Sequence, residues 1–405
     1  MRKLEGVVIP MSKSDIKYLV GSEEIVCRPL PIFSDIAIKF LDDLSKELRN
    51  DTEARKFPDV MTFAFWCRKA NIVKLKEEYA IKFPRIGKGI AFHIAPSNVP
   101  INFVFSYAFG VLAGNGNVVR VSEKDFRQIK IVCRILNKLF ENQEYKTIAE
   151  QTQIVSYGHD KDINDYYSDI CSTRIIWGGD NTINEIRQSP IGTRTTEITF
   201  ADRFSFAIFD ENTINDMSED DLRQLSEKFY NDTYLMDQNA CSSPHFILWK
   251  TSPSKQGRKK FWNAVYQAAQ KYELPEKKVL DKYTILCEKA TELDEIVSVE
   301  RYNNLLYVVE LDKLPDSMDE LRGKFGLFYE CDLENIDELC EKITPKMQTC
   351  VVHGIDQQKL VDILIENNAM GIDRIVPVGN AMDIGIYWDG YDVIGSLSRE
   401  IVTLQ

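Results

Sequence analysis

The chain has few histidines, 4 in 405 residues, and its 9 cysteines never fall as C-x-x-C. That spacing excludes a zinc framework of closely paired ligands, and scattered thiols suit a reducing compartment better than a disulfide scaffold. Basic residues are in deficit, 50 against 62 acidic ones, for a net charge of −12. This balance excludes general affinity for nucleic acid or an anionic membrane, so an anionic ligand must meet a local positive site. Internal repeats, low-complexity runs and linkers rich in Pro, Gly and Ser are all missing. The opening MRKLEGVVIPMSKSD has charges interrupting its apolar residues and lacks the core of a signal peptide, which points to the cytoplasm.

Long uncharged runs are also scarce. The exception is INFVFSYAFGVLAGNGNVV, residues 101–119, about as long as a membrane span. Asn-Gly breaks near its end argue instead for a buried helix to about Leu112, a tight turn and a buried strand from Asn117. No membrane span is expected.

What is present describes a folded, soluble chain: 44% hydrophobic and 28% charged residues. The length suits two large domains, or two and a small one. From Lys88 the pattern alternates: KGIAFHIA strand, Val99–Ala113 helix, NVVRV strand, Asp125–Phe140 helix, QIVSY strand, a short helical patch, TRIIWGG strand, Thr182–Arg187 helix. Strands apolar throughout and separated by helices predict a parallel sheet covered on both faces, a doubly wound α/β domain. A second alternation starts at SFAIFD, runs through a helix around 222–230 and the strand PHFILW, and reaches about Ile372. It predicts a second α/β domain. The expected division is 1–203, 204–372 and a short tail, 373–405.

Ligands in open parallel sheets sit beyond the carboxyl ends of the strands, which directs attention to the turns. In IAPSNVP, Pro96 and Pro100 stiffen a strand-to-helix turn, and the Asn98 amide between them could donate to a developing oxyanion. The plainer alternative is that Asn98 caps the next helix. In IIWGGDNTINEI, paired glycines before a helix permit close approach of a phosphate, although Gly-Gly followed by an Asp cap is common without a ligand. In YLMDQNACSSPHFILW, small neighbours leave room around Cys241, a candidate nucleophile. Most single cysteines are buried small hydrophobes instead.

The order of these features resembles the aldehyde dehydrogenase superfamily. KGIAFHIAPSNVPINFVFSYAFGVLAGNGNVVRVSEK, MDQNACSSPHF and DRIVPVGNAMDIGIYWDGYDVI resemble its acyl-CoA reductase branch, the LuxC-type fatty acid reductases, over roughly Lys88 to Arg399. The resemblance implies Cys241 as nucleophile and Asn98 as oxyanion donor. It sets Pro96, Ser97, Arg120, Ser122, Glu123, Gly178 and Gly179 against a nicotinamide cofactor, with the glycines under its pyrophosphate. Arg120 falls where the superfamily usually has lysine, and with Ser122 it would suit a ribose 2′-phosphate and NADPH. Glu123 in related enzymes often holds an unphosphorylated ribose. Asp180 departs from the pattern, since many relatives carry serine there.

Another departure concerns water. Aldehyde-oxidising members carry a glutamate in E-L-G-G-K that activates water on the acyl-enzyme, and the matching stretch here, TFADRFSFAIFD, puts Thr199 in its place. Glu197 lies two residues away, where a shift of register would restore the base. Without that carboxylate a cysteine thioester should survive to accept a hydride. The expected reaction is reduction of a fatty acyl thioester to an aldehyde with release of coenzyme A or a carrier thiol. The alternatives are a hydrolysing NAD(P)-dependent aldehyde dehydrogenase and a weakly catalytic acyl-accepting subunit that docks on an acyltransferase or synthetase. The tail resembles the family's oligomerisation segment and implies a homo-oligomer. His245 is expected to pack in its strand, and GRKKFW (257–262) to form a solvated helix face rather than meet coenzyme A phosphates.

Overall fold

The computed structural model describes residues 16–79, 81–250 and 255–403, so the opening segment read for a signal peptide lies outside the described residues. The chain divides into two compact units. One holds Met1–Ala201 with Gly385–Tyr387 and Tyr391–Gln405, the other Asp202–Ile384 with Trp388–Gly390.

In the first unit the strands are β1 (Lys17–Val20), β2 (Arg85–Gly87), β3 (Ile90–Ile94), β4 (Gly116–Val121), β5 (Thr152–Ser156), β6 (Thr173–Trp177) and β7 (Thr196–Phe200). Six of them form one sheet in the order β1-β5-β4-β3-β6-β7, parallel except for β1 on the edge. The chain steps outward from β3 to β5 and then returns to β6 on the other side of β3. That reversal is the topological switch point, where a crevice opens beyond the strand ends. β2 stands apart and pairs antiparallel with Ser398–Glu400, so the end of the chain closes on this unit.

The uncharged run folds as helix Asn102–Leu112, then β4. Residues 103–112 are all buried, because the helix lies between the sheet and an aromatic group of Phe63 and Trp66. The aromatics of NFVFSYAF therefore pack the core. Among the described residues no helix is long and apolar enough to cross a membrane. Helix Arg127–Phe140 buries Ile129, Val132, Cys133, Ile135, Leu136 and Leu139, the three-and-four spacing of a helix with one face on the sheet. The short helical patch after β5 is a full helix, Lys161–Ile170, whose N-cap Asp160 accepts the Ile163 N–H.

The second unit contains β8 (Phe204–Asp210), β9 (Pro244–Lys250), β10 (Ile296–Tyr302), β11 (Leu306–Leu311), β12 (Leu327–Leu333), β13 (Met347–His353) and β14 (Arg374–Pro377), in the order β10-β11-β12-β9-β8-β13-β14. All pairs are parallel but the β10–β11 hairpin. Apolar clusters cover both faces, with Phe206, Leu248 and Tyr329 on one and Phe209, Trp249 and Phe328 on the other. Strand β10 gives no clear signal in the sequence because it is an edge strand with mostly exposed side chains.

Candidate active site

At the switch point of the first unit, Arg120 of β4, Ile94 of β3, Ile176 of β6 and Thr199 of β7 form one row in register. The turns carrying Asn98 and Gly178 leave from the two adjacent central strands of that row. Asn98 is exposed, and Pro96 beside it is half-buried. The helix that follows has Ile101 as its N-cap and no side-chain cap bond, so Asn98 is not the cap considered above. The exposed Ser97 gives its carbonyl to Lys124 Nζ at 3.3 Å. Sequence reasoning passes over Lys124, since a lone exposed lysine after a strand carries no local signal.

Arg120 is less free than a 2′-phosphate ligand should be. Its Nη2 donates to the Gly158 carbonyl at 3.0 Å and its guanidinium lies over the Tyr157 ring at 4.8 Å. Ser122 Oγ accepts the Lys124 backbone N–H at 3.2 Å and so closes the local turn. Glu123 is exposed, with its carboxylate beside Gly158, where a Cβ would stand 3.3 Å from Oε2.

The glycine turn follows Trp177. Gly178 donates its N–H to the Phe200 carbonyl at 3.1 Å, and a Cβ there would press on Thr182. Gly179 is exposed and a Cβ on it would meet nothing within 4 Å. Contrary to expectation Asp180 is not the cap: Gly179 is the N-cap of helix Asp180–Ile186, and Asp180 is its exposed first residue. The helix dipole favours a carboxylate in that place. Trp177 itself is held by a buried chain. Its Nε1–H donates to Ser106 Oγ at 3.0 Å, Ser106 meets His93 Nδ1 at 2.8 Å, and His93 Nε2 meets Asn117 Oδ1 at 3.1 Å. Burial pushes the His93 pKa down to about 4, so the ring is neutral, with its proton on Nε2 facing the Asn117 oxygen.

Thr199 leaves no carboxylate at its place in the row. Glu197, two residues earlier, pairs across to Arg174, with Nε donating at 2.7 Å, and also to Arg187 Nε at 2.8 Å. Arg174 is buried and gives further bonds to Ser168 and to the carbonyls of Ile186 and Ser189. Glu197 is thus the counter-ion of a buried guanidinium.

In the second unit Cys241 lies in a turn that precedes β9, at the amino end of the sheet rather than the carboxyl end where ligands of open parallel sheets usually sit. The two-residue approach to the turn, Asp237 and Gln238, holds φ of +55° and +59°, a left-handed conformation costly for non-glycine residues. Surrounding contacts enforce it. Lys278 Nζ donates to both Asp237 oxygens at 2.8 and 2.9 Å, and Tyr272 donates to the same carboxylate. The buried Gln238 donates to the Leu327 carbonyl at 3.1 Å and accepts the Gly326 N–H at 2.8 Å.

Cys241 keeps solvent access, yet the protein packed around it disfavours the thiolate and pushes its pKa up. A backbone N–H from Arg203 opposes this, and the negative charges of Asp389 and Asp202 add to it. His245 is no base for the thiol: it is buried, its Nδ1 donates to the Gly323 carbonyl at 2.9 Å, and burial depresses its pKa to about 4. The GRKKFW stretch is not one solvated face. Arg258 is buried against Glu211, Asp332 and the Trp249 ring, while Lys259 and Lys260 are exposed.

A family model for acyl-CoA reductase (LuxC) matches residues 73–400. The chain belongs to that family. Its chemistry is accordingly that of an oxidoreductase linking acyl groups and aldehydes. Among curated proteins none matches the chain. Solved structures show the aldehyde dehydrogenase fold. Aldehyde dehydrogenase 21 from Physcomitrella patens shares 11% identity at a TM-score of 0.63, over 90% of this chain and 84% of that one. An NAD-dependent benzaldehyde dehydrogenase from Corynebacterium glutamicum shares 10% at 0.59, over 91% and 84%. A mutant of proline utilization A from Bradyrhizobium japonicum shares 12% at 0.61, where 90% of this chain spans only 42% of the other.

Proposed function

We propose that this protein reduces a fatty acyl thioester to an aldehyde through an S-acyl intermediate on Cys241. The observation that supports the reading is the pairing of Glu197 with Arg174 and Arg187: the carboxylate two residues from Thr199 is a structural counter-ion rather than a free general base. Cys241 attacks the thioester carbonyl as thiolate, with its own N–H stabilising the oxyanion, and the family resemblance assigns the Asn98 amide the part of a second donor. The leaving thiol of coenzyme A or a carrier departs with the proton the cysteine gave up. The raised thiol pKa means that the attacking thiolate is the minor form of the resting enzyme.

A nicotinamide cofactor fits the first unit. At Gly179 neither backbone conformation nor packing requires a glycine, so its missing side chain leaves open space for a ligand at the switch point. Gly178, Gly179, Pro96, Ser97, Arg120, Ser122 and Glu123 would hold it, and when bound in reduced form it supplies hydride. NADPH is the form this reading takes: Arg120, though partly spent on the Gly158 carbonyl, keeps further N–H donors for a 2′-phosphate. The thiohemiacetal left on Cys241 then collapses, releasing aldehyde and the free thiol.

A second reading draws on Asp180, whose carboxylate at the glycine turn opposes a pyrophosphate: an acyl-accepting subunit of low turnover serving an acyltransferase or synthetase partner. Intact-mass measurement after incubation with acyl-CoA alone tests the step both readings share. An acyl adduct on wild type and none on Cys241→Ala is expected, and an unmodified wild type contradicts both.

A further inference from the structure

Asp232 sits in the last turn of helix Glu219–Thr233, where the dipole disfavours a carboxylate, and it is fully buried. Burial pushes its pKa up to about 6. Its contacts account for its presence. Oδ2 accepts the Gly379 N–H at 2.6 Å, and Oδ1 accepts the Ala381 N–H at 3.0 Å. Its main-chain carbonyl accepts the Ser243 hydroxyl at 2.8 Å, two residues beyond Cys241.

The segment from Gly379 to Met382 is thereby fixed beside the cysteine turn. Ser242 Oγ lies 3.5 Å from Met382 Sδ where the two meet. Arg374 holds the same segment from the other side, donating to the carbonyls of Ala381 at 3.3 Å and Asp383 at 3.0 Å. Gly379 has φ +98°, and a Cβ on it would stand 3.0 Å from the Lys228 side chain, so the bend requires glycine. Met382 is half-buried, an adaptable apolar side chain next to the nucleophile's own turn.

We propose that Asp232 is a positioning residue for the reaction: it locks the Gly379–Met382 segment against the cysteine turn so that Met382 forms a wall for the first carbons of the acyl group. The proposal rests on Cys241 being the nucleophile. Asp232→Asn keeps the shape but turns one acceptor into a donor facing an N–H, and Ser243→Ala cuts the link from the other side.

The experiment compares two rates at Cys241 in wild type and both variants: acylation by acyl-CoA, followed as released thiol, and alkylation by iodoacetamide, located by mass spectrometry. Acylation should fall roughly tenfold in Asp232→Asn, which loses a charge-assisted hydrogen bond, and roughly threefold in Ser243→Ala, which loses a neutral one. Alkylation, which needs no acyl wall, should stay within about twofold of wild type on the same footing. Unchanged acylation overturns the proposal, and so does a parallel fall in both rates. If Asp232→Asn does not fold, Ser243→Ala decides the matter by the same two rates. A wild type that is alkylated at Cys241 yet never acylated removes the nucleophile reading, and the proposal with it.

Discussion

Ser205 Oγ donates to the main-chain carbonyl of Cys241 at 2.6 Å and accepts the Thr349 N–H at 3.2 Å. Ser205 is buried at the start of β8, opposite Pro244 of β9 and Thr349 of β13, so the cysteine turn is bonded to the sheet beneath it. Ser205→Ala leaves a buried N–H and a carbonyl without that hydroxyl, a cost of about 1–3 kcal/mol. Steady-state kinetics should show kcat lowered roughly tenfold with the cofactor KM unchanged, as for a change confined to chemistry at the cysteine. A wild-type kcat would mean that the turn is held without this bond.

Asp389 contributes to the raised thiol pKa of Cys241, behind the larger effect of burial. In wild type the rate of iodoacetamide alkylation should still be climbing at pH 9, because the thiolate fraction grows through a displaced midpoint. Asp389→Asn removes a negative charge, lowers that midpoint and should speed alkylation at pH 8 roughly threefold. An unchanged pH profile contradicts the assignment.

Glu197 separates a structural ion pair from a general base. Glu197→Ala leaves Arg174 buried without its carboxylate, which should cost roughly 3 kcal/mol in urea denaturation. The ratio of carboxylic acid to aldehyde among the products of acyl-CoA turnover should not move. A stability loss under about 1 kcal/mol, the range of exposed pairs, or a fall in acid product, counts against the account.

Glu330 is buried in β12, and one of its oxygens accepts both the Trp249 and the Trp262 indole N–H at 2.7 Å. Burial raises its pKa to about 7 from an ordinary 4.5. A folded-state value above the unfolded one gives stability that is complete at low pH and is lost as pH climbs through the folded value. Glu330→Gln should therefore gain stability relative to wild type between about pH 4.5 and about pH 7 and hold a constant difference above that. Melting temperatures across that range check it, and parallel curves would exclude Glu330 as the titrating group.

Much of this fold is legible in the chain because buried parallel strands are apolar on both faces: Phe92, Val118, Ile154 and Ile176 announce the first sheet. The helix Asn102–Leu112 and the strand after it follow from the glycine and asparagine breaks at residues 114–117. Lys161–Ile170 shows in the sequence as only a patch, because its polar positions dilute the periodicity while Asp160 supplies the cap. At the site, the long strings around Asn98 and Cys241 are readable as resemblance. What the sequence could not convey is who holds what. Arg120 spends part of its guanidinium on Gly158, Asp180 leaves the cap to Gly179, and Ser205 and Asp232 reach the cysteine turn from 36 and 9 residues upstream. Such contacts depend on strand register and loop path, which no local pattern encodes.

The central claim is tested most directly by mixing the protein with a long-chain acyl-CoA and NADPH and measuring both cofactor oxidation and product. The account predicts aldehyde formed in equal measure with NADPH consumed, and neither in Cys241→Ala. Carboxylic acid with no NADPH consumed would contradict it, since that outcome requires an acyl-enzyme open to water.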